Sequence, residues 1–242
     1  MGNSPLVNYT RLSPCNSGER THPIDTVTIH CVVGQASVEA LGSLFADPGK
    51  AASPNYGVGS DGRIGMYVPE DCVSWCSSNQ ENDNRAVTIE VASDNFHPYA
   101  VNDAAYNALI CLLADICKRN GIKRLVWSEN KEDRMQHING CNMTVHRDYA
   151  NKACPGKWLY SRHGQIASEV NKMLEEEEDM TGEEIYQKLI AYLASLQESA
   201  WSVKEGHFAK AKSKGITDGT MPRNFLTREQ LFAILGRMGL LK

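Results

Sequence analysis

Three side chains in this sequence are suited to holding a borderline metal ion: His30, His146 and Cys154. Imidazole and thiolate are both good zinc donors, and a hydrolytic zinc site uses three protein ligands plus one open position for water. His30 lies in the β-branched run TVTIHCVV, and His146 and Cys154 lie in VHRDYANKACPG, whose Cys-Pro-Gly sequence stiffens the loop. Glu90 interrupts the apolar run AVTIEVA, where an ionisable carboxylate is costly unless it is paired or functional. Beside a metal-activated water it could take and return a proton. Lys152, two residues before Cys154, could hold positive charge where a carbonyl oxygen becomes an oxyanion. Spacing alone leaves other readings open. His137 and Cys141 form a competing pair, Glu90 could be a structural carboxylate bound to Arg85, and Lys152 could be a solvated loop lysine. The other histidines, His22, His97, His163 and His207, lack partners at ligand spacing.

The elements that must position these residues follow from pattern. Thr26–Val33 and Ala86–Ala92 read as buried strands. Two short strands, 55–58 and 63–68, flank Asp61-Gly62 as a hairpin. Ser37 caps a short helix that Asp47-Pro48-Gly49 ends. Asp103–Asn120 is the clearest helix, with Ala105, Leu109, Leu112, Leu113 and Ile116 on one face and Gly121 as its stop. A short strand is expected at Arg124–Trp127 and a closing helix at Gly164–Leu174. Strands alternating with helices predict an α/β fold, one central mixed sheet flanked by helices, over residues 1–174.

The acidic run Glu175–Asp179 marks a boundary, with a linker at 175–180, and a small all-α module is expected over 181–242. Capping boxes at Thr181/Glu184 and Thr227/Gln230 open two of its helices. Ile185, Leu189, Tyr192, Leu193 and Leu196 line the first, Trp201, Phe208 and Ala211 a second, and Leu231, Ile234, Leu235 and Met238 the third. Net charge is −4 over 242 residues, but residues 201–242 hold eight Lys/Arg against three Asp/Glu, so they carry +5 and the first 200 carry −9. An acidic body with a basic tail suggests a unit joined to something that seeks an anionic surface; two solvated surfaces of different sign are the other reading. No apolar stretch is long enough to span a bilayer, so membrane insertion is not expected. The first residues show no basic and apolar regions of a secretory signal. Eight cysteines contain no Cys-x-x-Cys pair, and without a secretion signal a disulfide framework is not expected.

The segments TVTIHCVV, SPNYGVGSDGRIGMYVPED, SWCSSN, NRAVTIEVASD and VHRDYANKACPG together resemble the zinc-dependent N-acetylmuramoyl-L-alanine amidases related to phage amidase-lysozymes and peptidoglycan recognition proteins. The resemblance covers residues 22–174 and implies one Zn2+ on His30, His146 and Cys154, Glu90 as the carboxylate that activates water, and Lys152 beside the oxyanion. The implied reaction is hydrolysis of the amide joining N-acetylmuramic acid to the L-alanine of the stem peptide. Two positions depart from the pattern. Pro54 stands where some relatives have a catalytic tyrosine, and Tyr56, two residues on, would share its face in a regular strand and is expected at the substrate. Cys76 stands where many relatives have histidine; the preceding Trp75 lines the groove in this reading and the core in the alternative one. The tail from Trp201 to Gln230 is similar to a single S-layer-homology-like motif. The expected partners are therefore bacterial peptidoglycan and anionic wall polymers, or a second copy of the chain if the tail dimerises; no nucleic acid is expected. Together these features imply an endolysin made in the bacterial cytoplasm and released to the wall through a holin. A cytosolic wall-recycling amidase, a non-catalytic peptidoglycan-binding protein and a structural zinc protein are the alternatives.

Overall fold

A computed structural model describes residues 2–178, 182–196, 200–216 and 228–237. The chain divides into two compact units, Met1–Glu178 and Asp179–Lys242. The first holds eight strands: β1 (Tyr9–Thr10), β2 (Asn16–Glu19), β3 (Thr26–Val33), β4 (Tyr56–Val58), β5 (Ile64–Met66), β6 (Cys72–Ser74), β7 (Ala86–Ser93) and β8 (Met143–Thr144). Six of them form a mixed sheet in the order β1-β5-β4-β7-β3-β8, in which only β4 and β5 run antiparallel; β2 and β6 pair separately. The helices of this unit are α1 (Val38–Phe45), α2 (Gln80–Arg85), α3 (Asp103–Asn120), α4 (Lys131–Met135), α5 (His146–Tyr149), α6 (Gly156–Tyr160) and α7 (His163–Glu178).

Parity along the two central strands divides the sheet into unlike faces, because successive side chains of a strand point to opposite sides. The odd-numbered residues Val27, Ile29, Val87, Ile89 and Val91 join Leu109, Leu112, Leu113 and Ile116 of α3 and Ile166 and Val170 of α7 in one core. The even-numbered residues Thr26, Thr28, His30, Thr88 and Glu90 form a polar face that is covered as well. Its hydroxyls are satisfied within the protein. Thr26 donates to Asp25, Asn82 donates to Thr28 and accepts from Thr144, and Thr88 Oγ1 accepts from the Asn55 backbone N–H at 3.0 Å. Ser37 caps α1, and Gly121 ends α3 with φ 71°.

Arg124–Trp127 is not a strand. Asparagine side chains take the place of a ladder there: Leu125 N–H donates to Asn171 Oδ1 at 2.7 Å, Asn171 returns a bond to the Leu125 carbonyl, and Val126 N–H donates to Asn142 Oδ1. In the second unit the helices are α8 (Gly182–Ser195), α9 (Ala200–Glu205), α10 (His207–Ser213) and α11 (Arg228–Arg237). The stripe expected from Trp201 to Gly215 is two helices, because Gly206 adopts φ 66° between them. On α8 Leu193 is buried while Tyr192 and Leu189 are exposed. Thr181, Thr227, Met238, the linker residues 179–180 and the 217–227 part of the S-layer-like segment lie outside the described residues. No helix among the described residues is long and apolar enough to cross a membrane.

Candidate metal centre and adjoining groove

The parallel pairing of β3 with β7 sets His30 directly opposite Glu90 on the polar face. Nδ1 of His30 lies 4.0 Å from Glu90 Oε1 and 3.4 Å from the Cys154 sulfur. His146 opens α5, and its ring meets that of His30 edge-on, with centroids 5.1 Å apart. The donor atoms of His30, His146 and Cys154 all fall within 4.8 Å of one another. His137 and Cys141 do not compete: His137 Nδ1 bonds the Cys141 carbonyl, and the Cys141 thiol reaches the Val126 carbonyl. Arg85 is likewise unavailable to Glu90, since it makes two bonds to Asp25.

Burial sets the protonation of this cluster. It holds His30 neutral, with a pKa brought down to about 3, helped by the nearby His146 and His163. Burial, with the Lys152 charge, also lowers His146. Hydrogen bonding with Cys31, then burial, holds the Cys154 thiol well above its usual value. Glu90 is pushed up to about 8 by burial, with Cys31 adding to the shift. Its Oε2 and His30 Nε2 are buried without a hydrogen-bond partner among the described residues. Two neutral imidazoles, a thiol and an unsatisfied carboxylate and ring nitrogen are what a site completed by a cation would present. The donor set therefore fits a borderline divalent metal.

Two of the donors ride on a segment anchored by a buried ion pair. Arg134 of α4 is 1% exposed and reaches both carboxylate oxygens of Asp148, two residues after His146. Its guanidinium also lies 4.5 Å from the Trp127 ring. Arg147 spans the other side, bonding the carbonyls of Ala153 and Cys154 while stacking on Tyr160.

A groove of about 560 Å3 adjoins the cluster, with His146, Lys152 and Trp75 among its walls. Tyr56 is not there. It pairs with Ile89 rather than Glu90, so it points to the opposite face, fully buried, its hydroxyl donating to Glu70 at 2.6 Å. The residue beside Glu90 is Gly57. Three residues beyond the expected set adjoin the site. Cys76 Sγ lies 4.0 Å from Glu90 and forms a second potential ligand group with it and His30. Ser78, at φ 62°, places its hydroxyl 3.0 Å from His146 Nε2. Cys31 follows His30 directly and is coupled to Cys154 by the hydrogen bond described above. A serine before a helix-capping asparagine, Ser78-Asn79, was the available signal for the second of these.

A family model described as N-acetylmuramoyl-L-alanine amidase matches residues 20–157. Among solved structures, the chain is similar to the N-acetylmuramoyl-L-alanine amidase LysC from Clostridium intestinale, at 16% identity over 69% of this chain and 99% of that one, with a TM-score of 0.50. It is similar to a mutant endolysin from Bacillus subtilis at 16% identity, over 68% and 99% of the two chains, with a TM-score of 0.50. It is similar to a selenomethionine derivative of AmpD at 19% identity, over 68% and 96%, with the same TM-score of 0.50. At these identities the likeness bears on the fold. No curated protein sequence matches the chain.

The Arg134–Asp148 pair gives a direct test of what holds the second and third donors. Arg134→Ala leaves a buried carboxylate without its partner and is expected to lower unfolding free energy by about 3–5 kcal/mol. Replacing both residues with apolar ones, Arg134→Met with Asp148→Leu, is expected to cost less than the single change. Chemical denaturation of the three proteins checks this; equal stability of Arg134→Ala and the parent excludes the anchoring role.

Proposed function

Because the chain belongs to the N-acetylmuramoyl-L-alanine amidase family, we propose that it hydrolyses the amide between N-acetylmuramic acid and L-alanine in peptidoglycan, using one zinc ion on His30, His146 and Cys154. The observation that carries this reading is the convergence of those three donors within 4.8 Å, with Glu90 beside them and a groove alongside. Zinc held there would polarise the scissile carbonyl and lower the pKa of water. The remaining work falls to the chain itself. Glu90, beside the three donors, takes a proton from the attacking water and returns it to the departing alanine nitrogen. Lys152, on the groove wall beside His146, faces the oxygen that gains negative charge. Water is consumed, the C–N bond breaks, and the products are a lactyl carboxylate and a free alanine amine. The test is mass spectrometry of fragments from purified sacculi. Free amino-terminal alanine with intact glycan strands is expected, and Glu90→Gln should lower the rate by about 100- to 10,000-fold with fold and metal content unchanged. Cleaved glycan strands, or full activity in Glu90→Gln, would overturn the assignment.

Metal loading should depend on pH in a defined sense. Both imidazoles are already neutral near pH 7, whereas the Cys154 thiol is held protonated and must ionise to ligate. Loading therefore releases at least one proton, and zinc affinity should rise by about tenfold or more per pH unit between pH 6 and 8. Competition with a chromophoric chelator measures this, with Cys154→Ser expected to bind more weakly and with a shallower slope. A flat profile removes Cys154 from the ligand set.

The second unit supports a lytic role at the wall over recycling of wall fragments. It carries +2 against −6 for the first unit, and its positive charge is concentrated in the last 42 residues, which carry +5. A module of this sign is drawn to anionic wall polymers, and the attraction weakens as salt rises. Truncation after Glu178 should spare hydrolysis of a soluble muropeptide but reduce sedimentation of the protein with sacculi. Unchanged sedimentation, together with loss of self-association in the ultracentrifuge, would assign the tail to dimerisation.

A further inference from the structure

The groove beside the metal centre has a cationic lip that the reaction itself does not use. Lys50 ends a 3-10 turn, Pro48–Lys50, whose first residue follows the capping side chain of Asp47. Ala51 then takes a left-handed conformation at φ 48°, a strained geometry that fixes where the turn ends. Two residues on, Ser53 pairs by backbone bonds in both directions with Trp75. The Trp75 indole N–H is held by Ser17 Oγ at 2.7 Å, leaving the ring 42% exposed on the groove wall. Ser17 lies before the stretch matched by the family model.

Charge on the groove is one-sided. Lys50 and Lys152 both line it, and neither ammonium makes an ion pair or hydrogen bond among the described residues. Asp83 is the acidic side chain on its walls, and it is buried with both oxygens taken by the amides of Cys76 and Ser77. The first unit holds 16 Lys/Arg against 22 Asp/Glu and so carries −6, and a cationic concavity here runs against that charge. A groove of about 560 Å3 is of a size that binds ligands the length of a short peptide.

We propose that Lys50, which lines the groove together with Trp75, forms a subsite for a free carboxylate of the stem peptide. This rests on the amidase reading. In that substrate the lactyl carboxylate is tied up in the scissile amide, so the ionised carboxylates belong to the peptide. The subsite separates stem peptides with a free acid on the second residue from those in which it is amidated.

The test compares two tripeptides that lack the scissile bond, L-Ala-D-isoglutamyl-L-Lys and L-Ala-D-isoglutaminyl-L-Lys, titrated into the full chain and followed by NMR. At low ionic strength the acid is expected to bind about three- to fivefold tighter than the amide, the range of a partly exposed ion pair, and the gap should narrow with salt. In Lys50→Gln the two affinities should converge. Equal affinities in the parent chain, a preference that survives in Lys50→Gln, or no saturable binding of the acid would each overturn the subsite. Because neither peptide can be hydrolysed at the target bond, this outcome is separate from the sacculus assay, in which failure to free alanine would refute the amidase reading instead.

Discussion

The register of β3 against β7 is the constraint from which the site follows. Eight consecutive residue pairs run from Thr26↔Ala86 to Val33↔Ser93, and the fifth is His30↔Glu90. In parallel strands paired residues project to the same side, so the register alone sets an imidazole and a carboxylate side by side. A shift of one residue in either strand would turn its member of the pair into the α3–α7 core and bring an isoleucine or valine to the polar face. The strong apolar face opposes any such slip. Ile29 and Ile89, flanking the pair, are fully buried in the core.

Keeping polar groups on a covered sheet face requires partners for each of them. The structure supplies short side chains in place of water. Asn55 bonds the Thr88 backbone and hydroxyl, and Asn82 serves Thr28, Thr144 and Tyr149. The unsatisfied atoms on this face, His30 Nε2 and Glu90 Oε2, stand at the candidate metal centre. Polar satisfaction thus runs along the face and stops where chemistry is needed, a pattern expected of a site whose last partner is an ion.

Much of this was legible in residue types. TVTIHCVV and AVTIEVA announce strands, the face of α3 can be read at its i, i+4, i+7 spacing, and the segment around VHRDYANKACPG draws attention to its own donors. What the sequence hid were relations across the chain. Tyr56 could be placed on a strand but not on a face, since its parity depends on pairing with Ile89. Arg124–Trp127 has strand composition, yet two asparagines distant in sequence bond its backbone first. Cys31 and Cys76 come to the site through the fold: one follows a candidate ligand directly, and the other lies two residues beyond β6, the strand that pairs with β2. Glycine at position 206 was visible, but reading it as a helix break required weighing its backbone freedom above a weak apolar stripe.

The three donors are far from evenly placed along the chain. His30 and Cys154 meet across 124 positions, while the strand that delivers His146 is two residues long. A site assembled from such distant parts forms only after the loop between them has closed, so it belongs among the late events of folding. During synthesis the His30–Glu90 pair can register before the third donor has left the ribosome. The assembled donor set therefore reports that the first unit is in place as far as Cys154. For the amidase proposed above, this couples competence to completion: a chain that stops short of Cys154 lacks one donor of the set.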